Sequence, residues 1–116
     1  MNESRFWIKV RNELKMRNCW YYKAVDRTTA GIPDILICSR GVFIAVELKV
    51  KSNEVTALQA HTLKRLSENG AYTYTLRATE HGSYVITNLR KEASYETADI
   101  KVTLDIILGI YCPPSW

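Results

Sequence analysis

Apolar and polar positions divide the chain into short segments with two different periods. Over residues 3–18, Phe6, Trp7, Val10, Leu14 and the stem of Arg17 recur at steps of three and four, while Arg5, Lys9, Arg11 and Lys15 fall outside that stripe. This spacing predicts an amphipathic helix, capped by Asn2 or Ser4, with Glu3 at the positive end of its dipole. Residues 19–25 (CWYYKAV) are aromatic and β-branched and predict a strand; residues 26–31 are a polar connection. Two apolar runs follow, 35–38 and 42–46, separated by Ser39-Arg40-Gly41. They are rich in β-branched residues and too short for helices, so they predict a hairpin of two largely buried strands.

The rest of the chain repeats the two periods. Thr56-x-x-Gln59 is a capping-box pattern opening a helix to about residue 69, with Ala60, Leu63 and Leu66 inward and Gly70 ending it. Residues 71–76 alternate as a strand does. A turn around Gly82 leads to a short strand at 84–87, and residues 88–96 are polar and linking. Over 99–111, Ile100, Leu104, Ile107, Leu108 and Tyr111 fall at helical steps, with Thr97 as a cap, Gly109 as the end and Pro113-Pro114 blocking continuation. A strand over 100–104 is the competing reading. The order α-β-β-β-α-β, one more strand and a C-terminal helix predicts an α/β domain with a mixed central β-sheet flanked by helices.

At 116 residues the chain is expected to form one domain, residues 1–116, and its 47% apolar content suffices for a core. No apolar run approaches the roughly 18 residues of a membrane span. The polar start Met-Asn-Glu-Ser-Arg does not look like a signal peptide. The cytoplasm is therefore the expected location. Cys19, Cys38 and Cys112 show no C-x-x-C spacing and suit reduced packing residues, Cys38 in a core strand. The net charge of +4 is a modest excess, compatible with a polyanionic partner.

Three charged residues interrupt the apolar hairpin: Asp34 where its first strand begins, and Glu47 and Lys49 in its second. Glu47 and Lys49 share a face because strand side chains alternate. A buried carboxylate or ammonium needs a partner or a metal. Asp34, Glu47 and Lys49 are therefore expected to cluster near the rim of a sheet, two acids and a base, and oxygen ligands of this kind suit Mg2+ or Mn2+. A buried ion pair in a protein that is not an enzyme is the alternative.

This pattern resembles the PD-(D/E)xK nuclease superfamily: Pro33-Asp34, a strand, then Glu47-Leu48-Lys49, with 12 residues between the acids (47 − 34 − 1). The wider string G-I-P-D-I-L…V-E-L-K, followed by Gln59 in a helix, resembles the VRR-Nuc branch, which is related to Holliday-junction resolvases of archaea and phages. The likeness covers roughly residues 3–76. It implies a restriction-endonuclease-like core and hydrolysis of phosphodiester bonds, by a DNA endonuclease using Mg2+ or Mn2+. It implies that Asp34, Glu47 and the carbonyl of Leu48 hold the ion and that Lys49 positions the attacking water or stabilises charge; Lys51 has the same facing and is a second choice of base. It also implies that Gln59 orients Lys49 or a water, besides its capping role. A Glu near the start of the first helix completes the metal site in such relatives; Glu3 matches it, with Glu13 as a substitute, and Glu3 is equally explained as an acid at a helix start.

The expected partner is DNA, branched or duplex, and the resemblance to dimeric resolvases implies a homodimer. The apolar stretch 106–116 and the aromatic Trp20-Tyr21-Tyr22 supply interface material. Arg27, Thr28 and Thr29, beside Pro33-Asp34, and the basic face of the first helix are candidate phosphate contacts. Other readings are a catalytically degenerate domain of this fold that binds nucleic acid, a protein-interaction domain, and an enzyme directed at RNA.

Overall fold

The computed structural model describes residues 1–25 and 30–116. The elements run α1 (Glu3–Lys15), β1 (Trp20–Lys23), β2 (Ile35–Ser39), β3 (Val42–Val50), α2 (Ala57–Glu68), β4 (Tyr72–Ala78), β5 (Tyr84–Asn88), β6 (Ala93–Thr97) and α3 (Ile100–Ile107). The six strands form one sheet in sequence order, β1-β2-β3-β4-β5-β6. All neighbours are antiparallel except β3 and β4, which are parallel because α2 carries the chain back between them. The sheet is thus mixed and flanked by helices, as expected.

Each helix starts where a side chain can satisfy its free amides. Asn2 accepts from the Arg5 amide. Thr56 and Gln59 form the complete capping box, and Asp99 rather than Thr97 caps α3. One sheet face is covered by α1 and α3. Phe6, Val10 and Leu14 of α1 and Leu104, Ile106 and Ile107 of α3 pack on Ile35, Ile37, Ile44, Val46, Leu76 and Ile86. Arg17 ties the two helices together, 2.8 Å from Glu13 and 2.9 Å from Asp105. Glu13, the substitute for Glu3, is therefore committed to a structural pair at the far end of α1. Among the described residues, the opposite sheet face is covered by α2, through Leu63.

The structure departs from expectation elsewhere too: Ala60, expected to face inward from α2, is exposed. Residues 93–97, within the segment read as linking, form β6: only Tyr95 is a large apolar residue there, yet the edge position needs only backbone pairing to β5. Cys38 is exposed, because it lies on the sheet face that α2 leaves open. The C-terminal helix ends at Ile107, so Ile106 and Ile107 are core while Ile110 and Tyr111 are exposed.

Candidate active site

The long strand β3 outruns its partner. Register pairs Ile35 with Val46, the last rung of β2, and beyond it Glu47, Leu48 and Lys49 continue without a β2 neighbour. The side chain of Asp34 takes over the ladder: its Oδ2 accepts the Leu48 amide at 2.8 Å. The carboxylate of Asp34 is thereby fixed against β3 beside Glu47. The N–H and C=O of one strand residue point to the same side, so the Leu48 carbonyl also faces the open end of β2. Lys23, at the end of β1, lies 3.7 Å from Asp34 Oδ1 and 5.8 Å from the centroid of the Trp7 ring. Lys23 was missed in the sequence, since only the pairing of β1 with β2 brings it to Asp34.

Glu47 is 2% exposed. Gln59, on the first turn of α2, donates from Nε2 to Glu47 Oε1 at 3.3 Å while its own Oε1 accepts the Thr56 amide. Gln59 therefore does cap and site work with one amide group. Glu47 Oε2 is buried and receives no N–H or hydroxyl hydrogen bond from a described residue. Burial pushes the Glu47 carboxyl up to about 9; the adjacent Asp34 adds to the rise by hydrogen bonding and by repulsion, while Lys49 and Lys23 pull the other way. A further cation beside Glu47 would favour its ionised form.

Lys49 is buried, shares the face of Glu47 and stands opposite Arg77 of β4. Its ammonium makes no hydrogen bond or ion pair with a described residue. Lys51 lies in the turn after β3 with φ 55°, exposed, off the strand face that the sequence pattern gave it. Glu3 is exposed in the first turn of α1 and faces Val50 and Lys51 across an open cleft of about 920 Å³. Among the described residues, no three His, Cys, Asp or Glu gather into a metal-holding group. Asp34 and Glu47 are a pair, and Glu3 is outside it, at the start of α1, where the helix dipole favours an acid. Arg27, Thr28 and Thr29 lie outside the described residues.

Gly31 packs closely against α2. It adopts φ +85°, and a Cβ there would come within 2.8 Å of Leu58 Cγ and 2.9 Å of the Leu58 carbonyl oxygen. Gly31→Ala is expected to cost about 1–3 kcal/mol through backbone strain and to lift Pro33-Asp34 from the site. Thermal unfolding should show a fall of roughly 5 °C or more; an unchanged midpoint would mean that the loop repacks freely.

No family model matches the sequence, and no curated protein matches it. Solved structures do. A Holliday junction resolvase, Hjc, from the archaeon Archaeoglobus fulgidus superimposes with a TM-score of 0.60 at 15% identity, covering 87% of this chain and 92% of that one. A VRR_NUC domain superimposes with a TM-score of 0.57 at 22% identity, covering 66% of this chain and 84% of that one. At such identities the likeness speaks for the fold. The protein has the restriction-endonuclease-like fold of the archaeal resolvase and the VRR_NUC domain, the fold that Pro33-Asp34 and Glu47-Leu48-Lys49 led us to expect.

Proposed function

We propose that the protein is a metal-dependent DNA endonuclease acting on branched DNA. The observation that carries this reading is the buried Oε2 of Glu47, beside Asp34 and without an N–H or hydroxyl donor among the described residues. An acid pair that holds a proton in place of a second charge is a poor structural feature and a good cation site. The donors fit Mg2+ or Mn2+: two carboxylates and a backbone carbonyl are hard oxygen ligands, and no thiolate or imidazole accompanies them among the described residues. Asp34, Glu47 and the Leu48 carbonyl would hold the ion.

A bound divalent ion supplies Lewis-acid charge for the phosphate and an acidified water. The chain's own groups do the rest. Gln59 anchors one oxygen of Glu47 and leaves the other available to hold an ion. Lys49, held on the same strand face, orients the attacking water and offsets charge growing on the phosphate. Asp34 keeps the rim rigid through the Leu48 amide. The fold shared with a Holliday junction resolvase favours branched substrates.

The test is incubation with a four-way junction, a flap, plain duplex and single-stranded DNA, with Mg2+ or Mn2+ and with EDTA. Cutting of the branched forms that stops in EDTA is expected. Tight binding without any cutting in Mn2+ would support the degenerate nucleic-acid-binding reading, and cutting confined to RNA would redirect the substrate.

The working unit under this reading is a homodimer, since a junction offers two strands related by approximate two-fold symmetry. With Ile106 and Ile107 used in the core, the exposed Ile110 and Tyr111 are the tail residues left for an interface. Light scattering should report twice the 13.3 kDa chain mass; a monomer that stays monomeric on a non-cleavable junction would overturn this.

A further inference from the structure

We propose that Trp20 and Tyr22 form a stacking platform for an unpaired nucleobase next to the cleavage site; this rests on the nuclease reading and names what that site recognises. The strand β1 is an edge of the sheet, and Trp20 and Tyr22 point the same way from it, 60% and 48% exposed. Tyr21 between them points to the other face and packs edge-on against Trp7. The two exposed rings are nearly parallel, with 8° between their planes and centroids 6.5 Å apart. That spacing is about twice the rise of one stacked base, roughly 3.4 Å.

Register connects the platform to the site. Trp20 pairs with Cys38, which pairs with Phe43, and Tyr22 pairs with Leu36, which pairs with Ala45. Ala45 and Glu47 are on one face of β3, so the rings and the acids share a sheet face. The Tyr22 row lies two residues, about 7 Å, along the strands from the row of Asp34 and Glu47. A base held on Tyr22 is therefore about 7 Å along the strands from the acids and one to two strand spacings, about 5–10 Å, across the sheet from them.

Covering these rings with protein is the competing solution. Two rings on a short strand supply little of the roughly 800 Å² per partner that a stable protein interface buries. A cation stands at one end of the platform: Arg40 lies in the turn two residues past Cys38, the register partner of Trp20. Planar apolar faces next to a positive charge match a nucleotide, whose base stacks and whose flanking phosphates are anionic. Branch points and flaps offer such bases, whereas a closed duplex does not.

The experiment places 2-aminopurine at the unpaired position beside the branch of a flap substrate, with a fully paired duplex as control, both in EDTA to prevent cutting. Wild-type protein is expected to quench the probe in the flap. The Trp20→Ala/Tyr22→Ala protein should not quench it and should bind the flap about ten-fold more weakly, with duplex affinity changed less than two-fold. Trp20→Phe/Tyr22→Phe, which keeps the rings, should restore quenching and so exclude a folding defect. Absence of quenching by wild type, or equal quenching and affinity in the alanine variant, would overturn the platform. A fall from dimer to monomer mass in the alanine variant would overturn it in favour of a second copy of the chain. Quenching by wild type without cleavage in Mn2+ would leave the platform standing and refute the nuclease reading alone.

Discussion

Glu47→Gln is expected to abolish metal-dependent cleavage and to raise the melting temperature at alkaline pH. Glutamine keeps an oxygen for the Gln59 amide but cannot supply a negative ligand. The stability effect follows from the carboxyl, whose pKa rises from 4.5 to about 9 on folding. Between those values the folded chain binds more protons at this position than the unfolded chain. The stability associated with this group is therefore full below about 4.5 and is lost as pH rises through about 9. The variant has no such group, so its advantage over wild type should widen from pH 5 to pH 9. Mn2+ should raise the wild-type midpoint and leave that of the variant unchanged. Thermal scans across pH, with and without Mn2+, check both effects; a variant less stable than wild type at pH 9 would return Glu47 to a structural role. Asp34→Ala should lose cleavage equally but with the opposite stability change. It strands the buried Leu48 amide that Asp34 satisfies, at a cost of about 1–3 kcal/mol. Equal stabilities for the two variants would contradict this division of labour.

Lys49→Met should also remove cleavage while sparing Mn2+ binding. An ammonium is no metal ligand, and methionine retains most of the buried stem, so the sheet face under α2 stays packed. Loss of one charge poised at a developing phosphate charge typically costs 100-fold or more in rate. Calorimetry should give a Mn2+ affinity within about ten-fold of wild type. Lost metal affinity with an intact fold would move Lys49 from the chemistry to the support of Glu47, whose ionisation it favours.

The elements that carry the site were readable because their signals are local. The β-branched runs around Ser39-Arg40-Gly41 specify a hairpin, and Thr56 with Gln59 specifies a helix start, each within a few residues. Pro33-Asp34 and Glu47-Leu48-Lys49 were readable as charges where an apolar strand should have none. The strand β6 was not, since an edge strand is stabilised by its neighbour's backbone and needs little hydrophobic pattern of its own.

By itself the sequence determined the helices and strands with strong periodicity, the shared face of Glu47 and Lys49, and the candidate acids. Only the tertiary structure decided how those acids meet. The register of β2 on β3 stops at Ile35, so Asp34 bonds the Leu48 amide and lies against Glu47. The seating of α2 brings Gln59 to one Glu47 oxygen and leaves the other buried without an N–H or hydroxyl donor among the described residues. The pairing of β1 brings Lys23 to Asp34 and stands Trp20 and Tyr22 on the open face. The Arg40-Gly41 turn sets the β2–β3 register locally, but the seating of α2 and the pairing of β1 depend on contacts between residues farther apart in the chain, and strand periodicity fixes the face a residue takes rather than the rung it meets.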